Sequence, residues 1–201
     1  MKNVYLLFVF FLSACSNDST PVFEEISQDA IILAFGDSLT YGTGTANDTS
    51  YPSILSELSS REVINAGVPG EISRNGLIRL PSLLDEHQPE LLILIHGGND
   101  ILRKIPNHQT RKNIEQMLGL AKQRDIKVVM LGVPEPNLFL MGSAEIYQQI
   151  AEQNNTPIDL ETLPSILSNK KLKSDMIHPN TLGYKTLAEN VFILLQKTGA
   201  L

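Results

Sequence analysis

From residue 29 onward, short apolar runs rich in branched side chains alternate with longer amphipathic stretches, and this alternation restricts the possible folds more than any other feature of the chain. The runs are residues 30–35 (AIILAF), 62–65 (EVIN), 91–96 (LLILIH), 126–131 (IKVVML) and 156–160 (TPIDL). Their apolar residues are consecutive rather than alternate, which predicts strands covered on both faces. Between them, helical spacing of apolar residues predicts helices over 50–60, 74–87, 110–124, 144–154 and 181–197. Strands joined through helices in this way form right-handed crossovers and a parallel sheet. The expected architecture is α/β: a single-domain three-layer α/β/α sandwich around a central parallel sheet of about five strands. At 201 residues, 42% hydrophobic and 19% charged, the chain carries enough apolar material for one such core and shows no internal repeat or second domain.

Charge and cysteine count remove several function classes. With 16 Lys+Arg against 22 Asp+Glu and a formal charge of -6, there is no basic face from which nucleic acid could displace counterions. A single cysteine forms no intramolecular disulfide, and four scattered histidines offer no Cys/His spacing for a structural zinc, so no metal is expected.

Residues 1–15 read MKNVYLLFVFFLSAC, an apolar run over 4–12 behind Lys2, after which the chain turns polar. At ~1.5 Å per residue the run is far short of the ~20 residues that cross a bilayer as a helix, and it suits the core of a signal peptide. The small residues before Cys15 resemble a bacterial lipoprotein signal, in which residues 1–14 are removed and Cys15 is lipidated and becomes the new N-terminus. A plain secretory signal cleaved near Ala14 would keep the exported compartment and lose the anchor. Residues 16–28 (SNDSTPVFEEISQ) are polar and acidic, with no period of 2 or 3.6, and are expected to form a flexible tether to a folded domain over 29–201. Ser16 rather than Asp after Cys15 implies, by resemblance to lipoprotein sorting rules, the periplasmic side of a Gram-negative outer membrane.

In an open parallel sheet, ligands bind beyond the carboxyl ends of the strands, so chemistry is sought just after each run. The first run leads into Gly36-Asp37-Ser38-Leu39-Thr40. A serine at a strand-to-helix turn serves either as an exposed nucleophile or as a helix cap worth ~1 kcal/mol. The G-x-S-x-G elbow of the α/β-hydrolases is absent, since Thr40 stands where its second glycine would be. The second run leads into Asn65-Ala66-Gly67-Val68-Pro69-Gly70, whose glycines permit close backbone approach to a ligand or simply turn the chain. The third leads into Gly97-Gly98-Asn99-Asp100, where an amide beside two glycines either donates to a ligand or caps the next helix. Ahead of the last helix stands Asp175-Met176-Ile177-His178-Pro179-Asn180. A carboxylate three residues from an imidazole can take the Nδ1 proton and leave Nε2 free as a base.

Together, in this order and at these strand ends, the four blocks resemble the SGNH, or GDSL-type, hydrolase family, over residues 31 to about 197. The resemblance implies a flavodoxin-like fold and a serine hydrolase cleaving carboxylic esters or thioesters through an acyl-enzyme, with no cofactor. It implies Ser38 as nucleophile, His178 as base and Asp175 as acid partner. The oxyanion hole would comprise the Ser38 and Gly70 backbone N–H groups and the Asn99 amide. Gly70 is preferred to Gly67 because the block is similar to N-A-x-x-G followed by an acidic residue. The segment NGLIRLPSLLDEHQPE that follows is similar to bacterial multifunctional acyl hydrolases with thioesterase, arylesterase and lysophospholipase activities. The implied partners are a small acyl-ester or lysophospholipid substrate and, through Cys15, a membrane. Acyl transfer onto envelope carbohydrate, carbohydrate-ester cleavage and a catalytically silent lipoprotein are the alternatives.

Other polar residues read as structural. His96 closes a buried run and reads as a satisfied core histidine, while His87 and His108 read as surface residues. Asp37 and Asp100 are expected to hydrogen-bond around their turns. Asp85-Glu86 and Lys170-Lys171-Lys173 read as solvated charge. Residues 133–142 (VPEPNLFLMG) either wall an acyl-chain pocket or form a lid on the core.

Overall fold

The computed structural model describes residues 21–136 and 141–201; the expected leader, Cys15 and residues 137–140 of the apolar segment lie outside them. In chain order the elements begin with β1 (Ile31–Gly36), α1 (Ser38–Tyr41), a 3-10 turn (Asn47–Thr49), α2 (Tyr51–Ser59), β2 (Glu62–Gly67) and α3 (Ser73–His87). The middle of the chain forms β3 (Leu91–Ile95), α4 (Gly98–Leu102), α5 (Asn107–Lys122), β4 (Lys127–Leu131) and a short hairpin of β5 (Pro134–Pro136) and β6 (Met141–Ser143). It closes with α6 (Glu145–Asn154), β7 (Ile158–Asp159), α7 (Thr162–Ser168) and α8 (Thr181–Lys197).

The sheet runs β2-β1-β3-β4-β7, with every neighbouring pair parallel. After β1 the chain steps outward to β2, then returns past β1 to β3 and continues in that direction. Right-handed crossovers therefore put α2 on one face and α3, α5 and α6 on the other. The packing agrees: α2 lies against α8, and α3 and α6 lie against α5. This is the expected α/β/α sandwich in flavodoxin-like order. Its direction reverses between β1 and β3, the place where doubly wound sheets open a crevice at their carboxyl edge. Ser38 and Asn99 follow those two strands.

Burial explains the sequence pattern. All of β3 and Ile32–Phe35 of β1 are buried between helices, so they read as unbroken apolar runs. At the edge, β2 is only half covered; it carries polar residues and extends past the expected 62–65 to Gly67, paired with Gly36. In α8, buried Tyr184, Leu187, Val191 and Leu195 recur at helical spacing and face the sheet.

Three expectations need correction. The last strand is two residues, Ile158–Asp159, rather than 156–160. The elements α1, α4, α7 and the β5–β6 hairpin were not anticipated, because each has seven residues or fewer and presents too few turns for a period to emerge. The expected tether also ends early. Ile26 is buried, and the Phe23 and Ile26 N–H groups donate to the Thr198 and Ala200 carbonyls at 2.7 and 3.0 Å, so residues 23–28 belong to the folded body.

Candidate active site

The serine turn is built by its neighbours. Asp37 caps α1: its Oδ1 accepts from the Leu39 N–H at 3.1 Å, and Ser38 becomes the first helical residue. From the far side, the Tyr184 hydroxyl of α8 donates to the Thr43 carbonyl at 2.9 Å and lies 3.4 Å from that of Ser38. The turn is thus fixed between β1 and the helix that follows the histidine block.

The histidine block is a closed loop. Residues 173 and 179 pair as an antiparallel bridge, and Asn180 caps α8 by accepting from the Gly183 N–H at 3.0 Å. Inside the loop, Asp175 Oδ1 accepts from the Ile177 and His178 N–H groups, each at 2.8 Å, while Oδ2 lies 2.8 Å from His178 Nδ1. The other ring nitrogen, Nε2, lies 3.0 Å from Ser38 Oγ. Burial works to raise the Asp175 carboxyl, but His178 and the two N–H donors outweigh it and hold it below the ordinary aspartate range. An ionised Asp175 requires the proton on Nδ1, which leaves Nε2 as acceptor for the serine hydroxyl. Ser38, His178 and Asp175 therefore form one continuous chain of hydrogen bonds.

The opposite wall is assembled from distant segments. Asn99, second residue of α4, donates from Nδ2 to Asp37 Oδ2 at 3.0 Å. This fixes which way the amide points and leaves its second N–H without a partner among the described residues. Asp37 is buried, which pushes its carboxyl upward against the opposing influence of His96, Leu39 and Asn99. The two candidate glycines differ. The Gly67 N–H is already donated to Asn65 Oδ1 at 3.0 Å, and a Cβ there would stand 2.1 Å from the Tyr41 nitrogen, so Gly67 is needed where β2 passes α1. Gly70 adopts φ +78, a left-handed conformation natural to glycine, and its carbonyl accepts from Arg103 Nη2 at 2.9 Å.

Two buried carboxylates brace this wall. Glu71 accepts from Arg79 at 2.7 and 3.1 Å and lies 3.2 Å from His96 Nε2. His96 Nδ1 accepts from the Gly97 N–H at 2.9 Å, so Nε2 carries the proton and donates to Glu71. Burial alone would raise Glu71, but His96 and Arg79 outweigh it and hold it at about 2. Asp100 accepts from the Ser73 N–H at 2.7 Å, the Ser73 hydroxyl, and the Thr110 hydroxyl at 3.2 Å. The loop carrying Gly70 is thereby tied to the strand and helix that carry Asn99.

Ser38, Asn99 and His178 line one pocket together with Asp37 and an apolar wall that includes Ile101, Leu102, Val133, Leu167, Met176 and Ile177; Gly70 is not among its lining residues. Of the segment expected to wall or cover the site, Val133 and Pro134 line it and the tip lies outside the described residues. His96 is a satisfied core histidine, as its position at the end of a buried run suggested. His108 is exposed and His87 half-buried. Asp85 pairs with Arg124, and Lys173 Nζ donates to the Leu167 carbonyl at the end of α7, leaving Lys170 and Lys171 exposed. Sequence reasoning missed Glu71, Arg79 and Arg103. The one available signal was the acidic residue after Gly70, which was used to choose the glycine and not given a partner.

The chain is similar to known proteins over most of its length. An arylesterase of Vibrio mimicus is 30% identical over 196 residues, 92% of this chain and 93% of that protein. The Escherichia coli protein named thioesterase 1/protease 1/lysophospholipase L1 is 31% identical over 156 residues, 74% of this chain and 75% of its own length. A crystal structure of TesA superposes with a TM-score of 0.74 at 27% identity, covering 84% of this chain and 99% of that one. The model of the GDSL-like Lipase/Acylhydrolase family matches residues 34–186, with the serine, glycine, asparagine and histidine blocks all inside that span, and the chain belongs to that family.

Proposed function

We propose that Ser38, His178 and Asp175 carry out the acyl hydrolysis of this family, with the oxyanion held by the Ser38 and Gly70 N–H groups and the Asn99 amide. The carrying observation is the unbroken relay Asp175–His178–Ser38, at 2.8 and 3.0 Å, opening onto an apolar pocket. His178 Nε2 takes the Ser38 proton as Oγ attacks the acyl carbonyl, and Asp175 stabilises the imidazolium. His178 then passes the proton to the departing alkoxide or thiolate, and water, deprotonated by the same imidazole, releases the acid. The second Asn99 N–H and the two backbone N–H groups serve the charge only when it develops, which is where donors lower the barrier.

The substrates are esters and thioesters with an apolar acyl chain, for which Ile101, Val133, Leu167 and Ile177 supply contact area. Relatives named arylesterase and thioesterase/lysophospholipase agree with that class. Export by residues 1–14 and lipidation of Cys15 place the enzyme on the periplasmic side of the envelope. A fluorophosphonate probe tests the assignment. It should label one site, recovered by mass spectrometry in the peptide holding Ser38, and hydrolysis of p-nitrophenyl esters should disappear in step. Labelling elsewhere, or full activity in the labelled protein, would overturn it.

A further inference from the structure

Residues 23–28 are clasped to the body, and the clasp sits at the opposite pole from the catalytic mouth. Besides the bonds of Phe23 and Ile26 to the end of α8, the Ser27 N–H and hydroxyl both donate to Glu90, at 3.1 and 2.5 Å. Arg61 Nε donates to the Ser27 carbonyl at 2.7 Å, and its Nη1 donates to Gln28 Oε1 at 3.0 Å. Gln28, Arg61 and Glu90 lie just ahead of β1, β2 and β3, so these contacts mark the amino edge of the sheet. Ser38 and Asn99 follow β1 and β3 and mark its carboxyl edge. α8 measures the separation: it begins beside His178, ends at the clasp, and its 17 residues span ~25 Å at ~1.5 Å per residue.

We infer that the enzyme, once anchored through Cys15, presents its catalytic mouth away from the membrane that holds it and takes its acyl esters from the aqueous side, not from the lipid around the anchor. This rests on the proposed lipid anchor and names the substrate pool of the proposed site. The reach of the chain decides it. From Cys15 to Phe23 are eight links, at most ~28 Å when fully extended. Turning the mouth toward the bilayer would lift Phe23 to the far pole of the body, which in a compact domain of this size is roughly 40 Å across and so beyond that reach, and the chain would also have to pass around its flank. The clasp holds residues 23–28 and so withholds the length that inversion needs.

The test uses the native lipoprotein in phosphatidylcholine vesicles. A second preparation carries an unlipidated chain coupled through Cys15, its only cysteine, to a maleimide lipid in the same vesicles. Each is compared with untethered enzyme at equal concentration, on p-nitrophenyl butyrate in the water and on a long-chain acyl ester embedded in the vesicle. Butyrate rates should be equal throughout. The embedded ester should be cleaved within about twofold of the untethered rate, despite the high local concentration that anchoring confers. Inserting a flexible linker of about 20 residues after Thr20 should raise the embedded-ester rate about tenfold or more and leave butyrate unchanged. A tenfold gain with the native tether, or no gain with the linker, would overturn the inference. Loss of butyrate hydrolysis in every form would count against the hydrolase assignment. An unmodified Cys15 thiol in the native protein would overturn the anchor and its cellular consequence, whatever the coupled chain does.

Discussion

Asp175 and His178 stand in a loop that carries its own hydrogen bonds, closed by the single bridge between residues 173 and 179 and half exposed at the carboxylate. Asn99 stands instead on a wall drawn from separate segments, to which the Gly70 loop is tied, and that wall is held by Asp37, Glu71 and Asp100, all buried. A local, solvated half can lose a side chain without disturbing the core, because water replaces the missing partner. A buried wall cannot, since an orphaned donor there keeps its full desolvation penalty. The two halves should therefore separate by experiment: changes in the loop should lower activity and spare stability, and changes beneath the wall should lower both.

The largest effect should come from Ser38→Ala, about 10⁶ in kcat, the usual loss when a triad nucleophile is removed. Because Asp37, not Ser38, supplies the cap, the melting temperature should stay within about 2 °C of wild type. Asp175→Asn should follow at about 10⁴, since an amide at Oδ2 presents a donor where the Nδ1 proton needs an acceptor. Its stability should again be near wild type, as the side chain is 52% exposed. A cooperative unfolding shift above about 5 °C in either variant, followed by circular dichroism, would break the contrast between the two halves.

Asn99→Ala tests the wall at its lip. One oxyanion donor is worth about 10² to 10³ in kcat, with little change in KM. Loss confined to KM would make Asn99 a substrate-holding residue. Beneath it, Asp100→Ala removes the acceptor of the buried Ser73 N–H and should reduce stability by about 1–3 kcal/mol, or about 3–10 °C in a domain of this size. The same variant should lower kcat as the Gly70 loop loses its tie to α4. Unchanged melting with unchanged rate would show that the two segments are held by other contacts.

The contrast also governs what was legible in the sequence. The loop's chemistry lies within residues 175–178, so its spacing alone suggests a carboxylate orienting an imidazole. Ser38 was visible because β1 is a clean apolar run that stops at a glycine. For the wall, the glycine and asparagine blocks were visible as motifs, but what holds them was not. Glu71 pairs with His96, 25 residues on, and Asp100 with Ser73, 27 residues back, and no local period records such partners. The motif alone favoured Gly70 over Gly67, and what it did not record is that the Asn65 side chain accepts from the Gly67 N–H. The bound half of the expected tether escaped notice for a related reason. A polar stretch with one buried isoleucine gives no pattern, and its partners are backbone carbonyls at the far end of the chain.

The smallest effect is the most discriminating for the wall. Glu71 is held at about 2, below its ordinary value near 4.5, so its ionised form is favoured by folding. For a carboxylate depressed in this way, the stabilisation is complete above the unfolded-state pKa and is lost as pH falls through the folded-state value. Glu71→Gln keeps the shape but leaves Arg79 and the His96 proton facing a neutral amide. The variant should therefore melt below wild type at pH 7, and the gap should close as pH falls from about 4.5 toward about 2, where wild-type Glu71 is itself protonated. Asp175 is also depressed, but half exposed, and Asp175→Asn should show little such gap at any pH. Melting curves of the two variants against pH, side by side with wild type, decide whether burial separates the halves. A gap for Glu71→Gln that does not vary with pH would mean that the side chain stabilises the wall by shape and packing rather than by charge.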